Sequence, residues 1–212
     1  MAAMWSHLLA FLGACTLVAA SPGPSTVLII RNSLRGRWSG MLTVLGNESG
    51  VFLWGVFAAL GLTALLEASE AAYDVMRVVG AVVLVGFGIQ ALRAARRADG
   101  ASLADAAASA DPASSGWRDY RAGLLLNLAN PKAGIFAMAF LPQFVPAGAP
   151  HLTTMLALAV VWAVFETGYY ATYVWGVGRL RHVLSRPGVR RRLEQVSGGV
   201  LIALGVRLAI ES

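Results

Sequence analysis

Apolar runs long enough to cross a bilayer recur six times along the chain, near residues 5–30, 41–64, 75–92, 121–145, 152–177 and 195–210. A hydrocarbon core about 30 Å thick is crossed by about 20 helical residues, and within it each backbone N–H and C=O must be paired inside the protein. Composition agrees. Of 212 residues, 57% are hydrophobic and 13% charged, with a mean hydropathy of +0.65, too apolar for one soluble domain of this size. The expected fold is an all-α membrane protein of six transmembrane helices forming one domain over residues 1–212, with no stretch left for a soluble catalytic domain.

Two of the runs are broken inside. The first reads SPGPSTVLIIR from Ser21 to Arg31, and the fourth contains NLANPKAG from Asn127 to Gly134. Ser21-Pro22 and Asn130-Pro131 share a local grammar: a residue that caps helix N-termini, then proline at the first helical position, where its missing N–H costs nothing. A helix start at that depth presents backbone N–H groups and the positive end of a helix dipole, tolerable only against protein, water or a ligand. Membrane helices carry proline often, and one break alone would read as a kink. Two matched starts three spans apart read instead as inverted repeats, residues 5–92 and 121–212, joined by a loop over 93–120. That arrangement puts a binding site near the midplane between discontinuous helices.

Charge sets the orientation. Arg31, Arg35 and Arg37 follow span one; Arg93, Arg96, Arg97, Arg118 and Arg121 flank the loop after span three; Arg179, Arg181, Arg186, Arg190, Arg191 and Arg192 follow span five. The alternate loops carry Glu67, Glu70 and Asp74, or no lysine or arginine at 146–151. The positive-inside rule then places both termini outside. The net charge of +6 is thus mostly topology, and nucleic-acid binding is a poor reading of it. A cleaved leader ending near Ala20 is disfavoured, because no positive segment precedes it and cleavage would turn the arginine-rich loops outward. The Ala/Ser/Asp-rich stretch at 98–116 reads as a flexible loop, and a single cysteine, Cys15, allows no intrachain disulfide.

Ionisable residues fall at depth. Glu48 and Glu166 lie inside spans two and five, which are repeat equivalents, and Lys132 adjoins the second break. Carboxylates so placed are costly and mark ion paths or substrate contacts, although a buried Lys–Glu pair can also merely lock helices together. Asn47, Asn127 and Asn130 supply neutral hydrogen bonds, to a ligand or between helices. Arg77 and Arg207 sit near outer span ends and snorkel. Tyr169, Tyr170 and Tyr173 read as helix packing before cavity lining. The three histidines have no metal-ligand spacing, and no metal or other cofactor is implied.

These motifs carry a resemblance. SPGPSTVLIIRNSLRGRWSGMLTVLGNESG resembles the N-terminal signature of the LysE/RhtB amino-acid exporters, NPKAGIFAMAFLPQFV their fourth-span motif, and GGVLIALGVRLA their last span. The resemblance implies a bacterial inner-membrane exporter of amino acids or related small metabolites, driven by protons, and carries over Pro22, Gly23, Pro24, Asn130, Pro131 and Lys132. Glu48, in GNESG, matches no fixed family motif and rests on its depth alone. The expected substrate site is Ser21, Pro22, Gly23, Pro24, Asn47, Glu48, Asn127, Asn130, Pro131, Lys132 and Glu166, with Glu48 or Glu166 as the proton-coupling group. The partners are an amino acid, protons and the lipid bilayer, with homo-oligomerisation open. A membrane enzyme would need a nucleophile–base set or metal ligands at that depth, and neither is present in the sequence. A channel or a helical assembly factor is the alternative.

Overall fold

The computed structural model describes residues 2–20, 23–68, 70–96, 116–146, 148–184 and 187–210. Ser21 and Pro22, most of the expected loop (97–115), and the side chains of Arg77, Pro131 and Arg207 lie outside the described residues. Helix follows helix throughout: α1 (Ala2–Ala20), α2 (Pro24–Arg35), α3 (Arg37–Ala68), α4 (Glu70–Arg96), α5 (Gly116–Leu128), α6 (Pro131–Phe140) with a 3-10 turn (Leu141–Phe144), α7 (His151–Leu184) and α8 (Pro187–Ile210). No strand occurs among the described residues.

Both expected breaks are there. Leu8–Ala20 and Pro24–Arg35 meet at 69°, and Gly116–Leu128 and Lys132–Phe144 at 58°, because a proline ring removes a ladder donor and clashes with the preceding turn. The second break starts at Asn130-Pro131, as the sequence indicates. The first starts two residues later than Ser21-Pro22: Gly23 is the N-cap and Pro24 opens α2. Two prolines compete for the first helical position in SPGP, and the later one takes it.

Two stretches, Arg37–Gly61 and His151–Gly176, are long and apolar enough to cross a membrane, and counting each bent pair as one span gives up to four. Helices α4 and α8 cover the third and sixth expected spans and pack chiefly on each other, but they do not meet that measure of length and apolarity among the described residues.

Apolar side chains face outward as well as inward, and a few polar ones are buried among them. Val75, Val78, Val79 and Val82 of α4 and Val160 and Val164 of α7 are exposed, while Asn47, Glu48, Asp119, Asn127 and Glu166 are buried, as lipid-facing surfaces and a polar interior require. Helix α3 lies at the centre, against α2, α5, α6 and α7. It meets α5 backbone to backbone: a Cβ at Gly46 would run into the Tyr120 carbonyl, and one at Gly123 into the Thr43 carbonyl. Glycine here permits the close approach typical of membrane helices.

Two larger apolar clusters divide the interior. One joins Phe11, Cys15, Phe136, Phe140, Met155 and Trp162; the other joins Ala19, Ile29, Ile30, Val44, Tyr170 and Tyr173. Phe136 is 1% exposed and stacks on Phe140 at 4.2 Å, so its truncation to alanine would cost about 3–5 kcal/mol.

Candidate binding cavity

Between the two apolar clusters lies a cavity of about 340 Å³, within the size range of small-molecule sites. Both helix breaks open on it. Val18 and Ala19 come from the end of α1; Gly23, Pro24, Ser25 and Thr26 from the start of α2; Asn127 from the end of α5; Asn130, Lys132 and Ala133 from the second break. Asn47 and Val51 of α3, Gln90 of α4, and Trp162, Glu166 and Tyr170 of α7 complete the wall.

The two breaks differ in what they offer. At α6, the Asn130 side chain accepts from the Lys132 N–H at 3.1 Å, and the Ala133 N–H donates to the Asn130 carbonyl at 3.1 Å. Pro131 has no N–H, so this helix start is satisfied by its own residues. At α2, Gly23 has no side chain to cap with, and the first helical bond runs from the Val27 N–H to the Gly23 carbonyl at 3.1 Å. The N–H groups of Ser25 and Thr26 lie ahead of that bond. Sequence grammar treats the two starts as equal; the structure gives α6 a side-chain cap from Asn130 and α2 a glycine N-cap with none.

Lys132 links the breaks. Its Nζ donates to the Val18 carbonyl at 3.0 Å, close to the end of α1, where carbonyls lack intrahelical partners and favour a cation. Glu166 shares the cavity with it. The other polar atoms form a relay: Asn127 Nδ2 donates to Asn47 Oδ1 at 3.2 Å, and Asn47 Nδ2 donates to Glu48 Oε1 at 2.8 Å. Glu48 is 3% exposed and stands behind Asn47, outside the cavity wall, within range of repulsion by Glu166.

Buried polar atoms are normally paired. Ser25 Oγ, Asn127 Oδ1, Trp162 Nε1 and Glu166 Oε1 have no hydrogen-bond partner among the described residues, and all four belong to cavity-lining side chains. Their unmet capacity suits a small polar solute with both donors and acceptors.

Of the sequence candidates, Gly23, Pro24, Asn47, Asn127, Asn130, Lys132 and Glu166 line the cavity, and Glu48 joins it through Asn47. Ser21 and Pro22 lie outside the described residues, and Pro131 contributes the first residue of α6. Sequence reasoning passed over Ser25, Thr26, Gln90 and Trp162. Trp162 and Tyr170 sit four residues either side of Glu166, the spacing that shares one helix face, so that signal was available. Tyr169 and Tyr173 are not in the wall; their hydroxyls bond to each other at 2.8 Å.

The profile of the LysE type translocator family matches residues 16–212. The chain is 27% identical to the homoserine/homoserine lactone efflux protein of Salmonella typhimurium, over 94% of each chain. It is 25% identical to the leucine efflux protein of Salmonella choleraesuis, over 97% of this chain and 92% of that one. An uncharacterized membrane protein of Bacillus subtilis is 24% identical over 96% of this chain and 98% of its own. No solved structure matches.

Proposed function

This chain belongs to the LysE type translocator family, and from that premise we propose that it is a secondary transporter exporting an amino acid or a related small metabolite by alternating access, with the cavity as its substrate site. It is a membrane translocator and not an enzyme. One observation carries the proposal: both helix breaks, a lysine and a glutamate converge on a single cavity of about 340 Å³. The efflux relatives support the outward direction.

In this reading the substrate carboxylate sits between Lys132 and the Ser25 and Thr26 N–H groups, where a cation and a helix N-terminus both favour an anion. The substrate ammonium faces Glu166 and the side-chain oxygen, Oδ1, of Asn127. Glu48 is the proton-coupling group in this reading, because Glu166 lines the cavity beside Lys132 and the substrate while Glu48 stands behind the Asn47 amide that donates to it. A proton on Glu48 removes its repulsion of Glu166 and changes the hydrogen bond it accepts from Asn47, which in turn alters the cavity wall. The frame is six spans in the bacterial inner membrane, two inverted three-helix halves with both termini outside; the matched breaks and the arginine-rich alternate loops support it.

Counterflow in proteoliposomes tests the function. Purified protein loaded with an unlabelled amino acid should accumulate the labelled form transiently, across a panel covering neutral, basic and acidic amino acids and a homoserine lactone. A panel in which nothing exchanges above protein-free vesicles would defeat the transporter reading.

A further inference from the structure

At the ends of α2 and α5 that lie away from the cavity, a second polar cluster joins the two halves of the chain. Arg35 Nη1 pairs with Asp119 Oδ1 at 3.2 Å, with side chains 13% and 4% exposed. Ser39 Oγ donates to Asp119 Oδ2 at 2.7 Å, Arg35 Nη1 also donates to Asn32 Oδ1 at 3.2 Å, and Asn32 Nδ2 donates to Thr43 Oγ1 at 2.8 Å. Arg35 and Asp119 belong to the arginine-rich stretches, about two to three helical turns from the site residues on the same helices.

The geometry makes this cluster a closure. Helix α2 begins at the cavity with Gly23–Thr26 and ends at Arg35; α5 contains Asp119 in its first turn and reaches the cavity at Asn127. The two helices are therefore walls running from the cavity to the arginine-rich face, over about 18 Å and 12 Å at the helical rise. Their far ends are held together by the ion pair. Helix α5 is fixed to α3 by the glycine contacts at Gly46 and Gly123, whereas α2 is a 12-residue rod with a glycine at each end, Gly23 and Gly36. Helix α2 packs on α3 as well, Ser33 against Gly40, and its far end is joined to α5 by the ion pair.

Helix α1 and the end of α6 meet by different chemistry. There Phe11 of α1 meets Phe144 of the 3-10 turn at 5.2 Å and Phe140 of α6 at 6.3 Å. In two inverted halves these are equivalent junctions, the end of one half-helix against the other half's broken span. An aromatic plug loses its burial when it parts. The Arg35–Asp119 pair, 13% and 4% exposed, is a specific contact that costs more to part than a surface ion pair and is regained in full when the ends meet again.

We propose that the Arg35–Asp119 pair, braced by Ser39 and Asn32, is the latch that closes the cavity toward the arginine-rich face and must break for substrate to enter from the cytoplasm. This rests on the transport reading above, but its test does not need transport. A cysteine replacing Ala133, in the cavity wall, is introduced with Cys15→Ala and labelled by a membrane-impermeant methanethiosulfonate in inside-out and right-side-out vesicles. Asp119→Asn and Arg35→Gln should each raise the labelling rate from the arginine-rich face roughly fivefold, the low end of coupling between two states, and leave the rate from the other face unchanged. The double variant should rise no further than either single, since both remove one shared contact. Unchanged labelling from the arginine-rich face, or an equal rise from both faces, would overturn the latch. Absence of amino-acid counterflow in the Cys15→Ala parent would defeat the transport reading instead, leaving one-sided labelling to be judged on its own.

Discussion

Lys132→Met is the sharpest test of the substrate site, because it removes a charge and keeps the length and bulk of the stem. An ammonium and a carboxylate about 4 Å apart attract by about 4 kcal/mol at an effective dielectric of 20. Truncating one member of a buried, hydrogen-bonded charge pair costs about 2–5 kcal/mol. The Ser25 and Thr26 N–H groups remain to hold the anion, so the low end applies, about 2–3 kcal/mol, or a half-saturation concentration raised roughly 30- to 150-fold. The lysine also holds the Val18 carbonyl at 3.0 Å, a purely structural bond whose loss would cost about 1–3 kcal/mol of stability. The two roles separate on measurement: counterflow against substrate concentration reads the first, and thermal unfolding in detergent reads the second.

A partner experiment isolates the carboxylate. The parent should prefer an amino acid to its carboxamide, and Lys132→Met should lose most of that preference, since the interaction removed is the one the amide lacks. A variant whose half-saturation stays within about threefold of the parent, under ~0.7 kcal/mol, with discrimination intact, would show that Lys132 serves only to staple α1 to α6.

Three further outcomes follow from the same geometry. Glu48→Gln should abolish transport driven by a pH gradient yet keep substrate exchange, since the amide mimics the protonated acid and cannot cycle; full uphill transport would remove Glu48 from coupling. Glu166→Gln should retain gradient coupling and raise half-saturation roughly tenfold, the loss of about 1.4 kcal/mol of charge-assisted contact with the ammonium, and an unchanged value would detach Glu166 from the substrate. Gly46→Val should lower the unfolding temperature and the yield of folded protein, because its side chain meets the Tyr120 carbonyl and overpacking costs about 1–3 kcal/mol; wild-type stability would mean that α3 and α5 are not so closely joined.

What could be read from the sequence divides by range. The breaks were legible because cap and proline are adjacent, and local sterics alone dictate a helix start at Asn130-Pro131. The first start was legible only to within two residues, since SPGP offers two prolines and their competition depends on how α2 docks. Glu48 and Glu166 were legible by depth, but their separate surroundings were not: that Glu166 faces Lys132 while Glu48 hides behind Asn47 follows from helix rotation. The Arg35–Asp119 pair spans 84 positions, and nothing local marks either residue among so many basic neighbours. Spans three and six show the limit of hydropathy, since α4 and α8 are helical where expected but carry charges near their ends.

The unequal breaks give a last test, in which stability and function should part. Gly23 holds an extended conformation, φ −133° and ψ −173°, which any residue adopts, and a Cβ there would meet nothing within 4 Å. Gly23→Asn therefore fits without strain and adds the side-chain cap that Asn130 supplies at the other break. Asparagine exceeds glycine as a cap by only a few tenths of a kcal/mol, so the unfolding temperature should hold or rise slightly. Its side-chain oxygen, however, would take the Ser25 or Thr26 N–H that the substrate carboxylate is meant to use. Losing one hydrogen bond to a charged group, about 1.5 kcal/mol, should weaken binding about tenfold. The same variant combined with Lys132→Met should weaken binding by less than the product of the two factors, because both act on one carboxylate. If Gly23→Asn leaves half-saturation unchanged in a stable protein, the start of α2 is not an anion site, and the missing cap at the first break serves the movement of α2 alone.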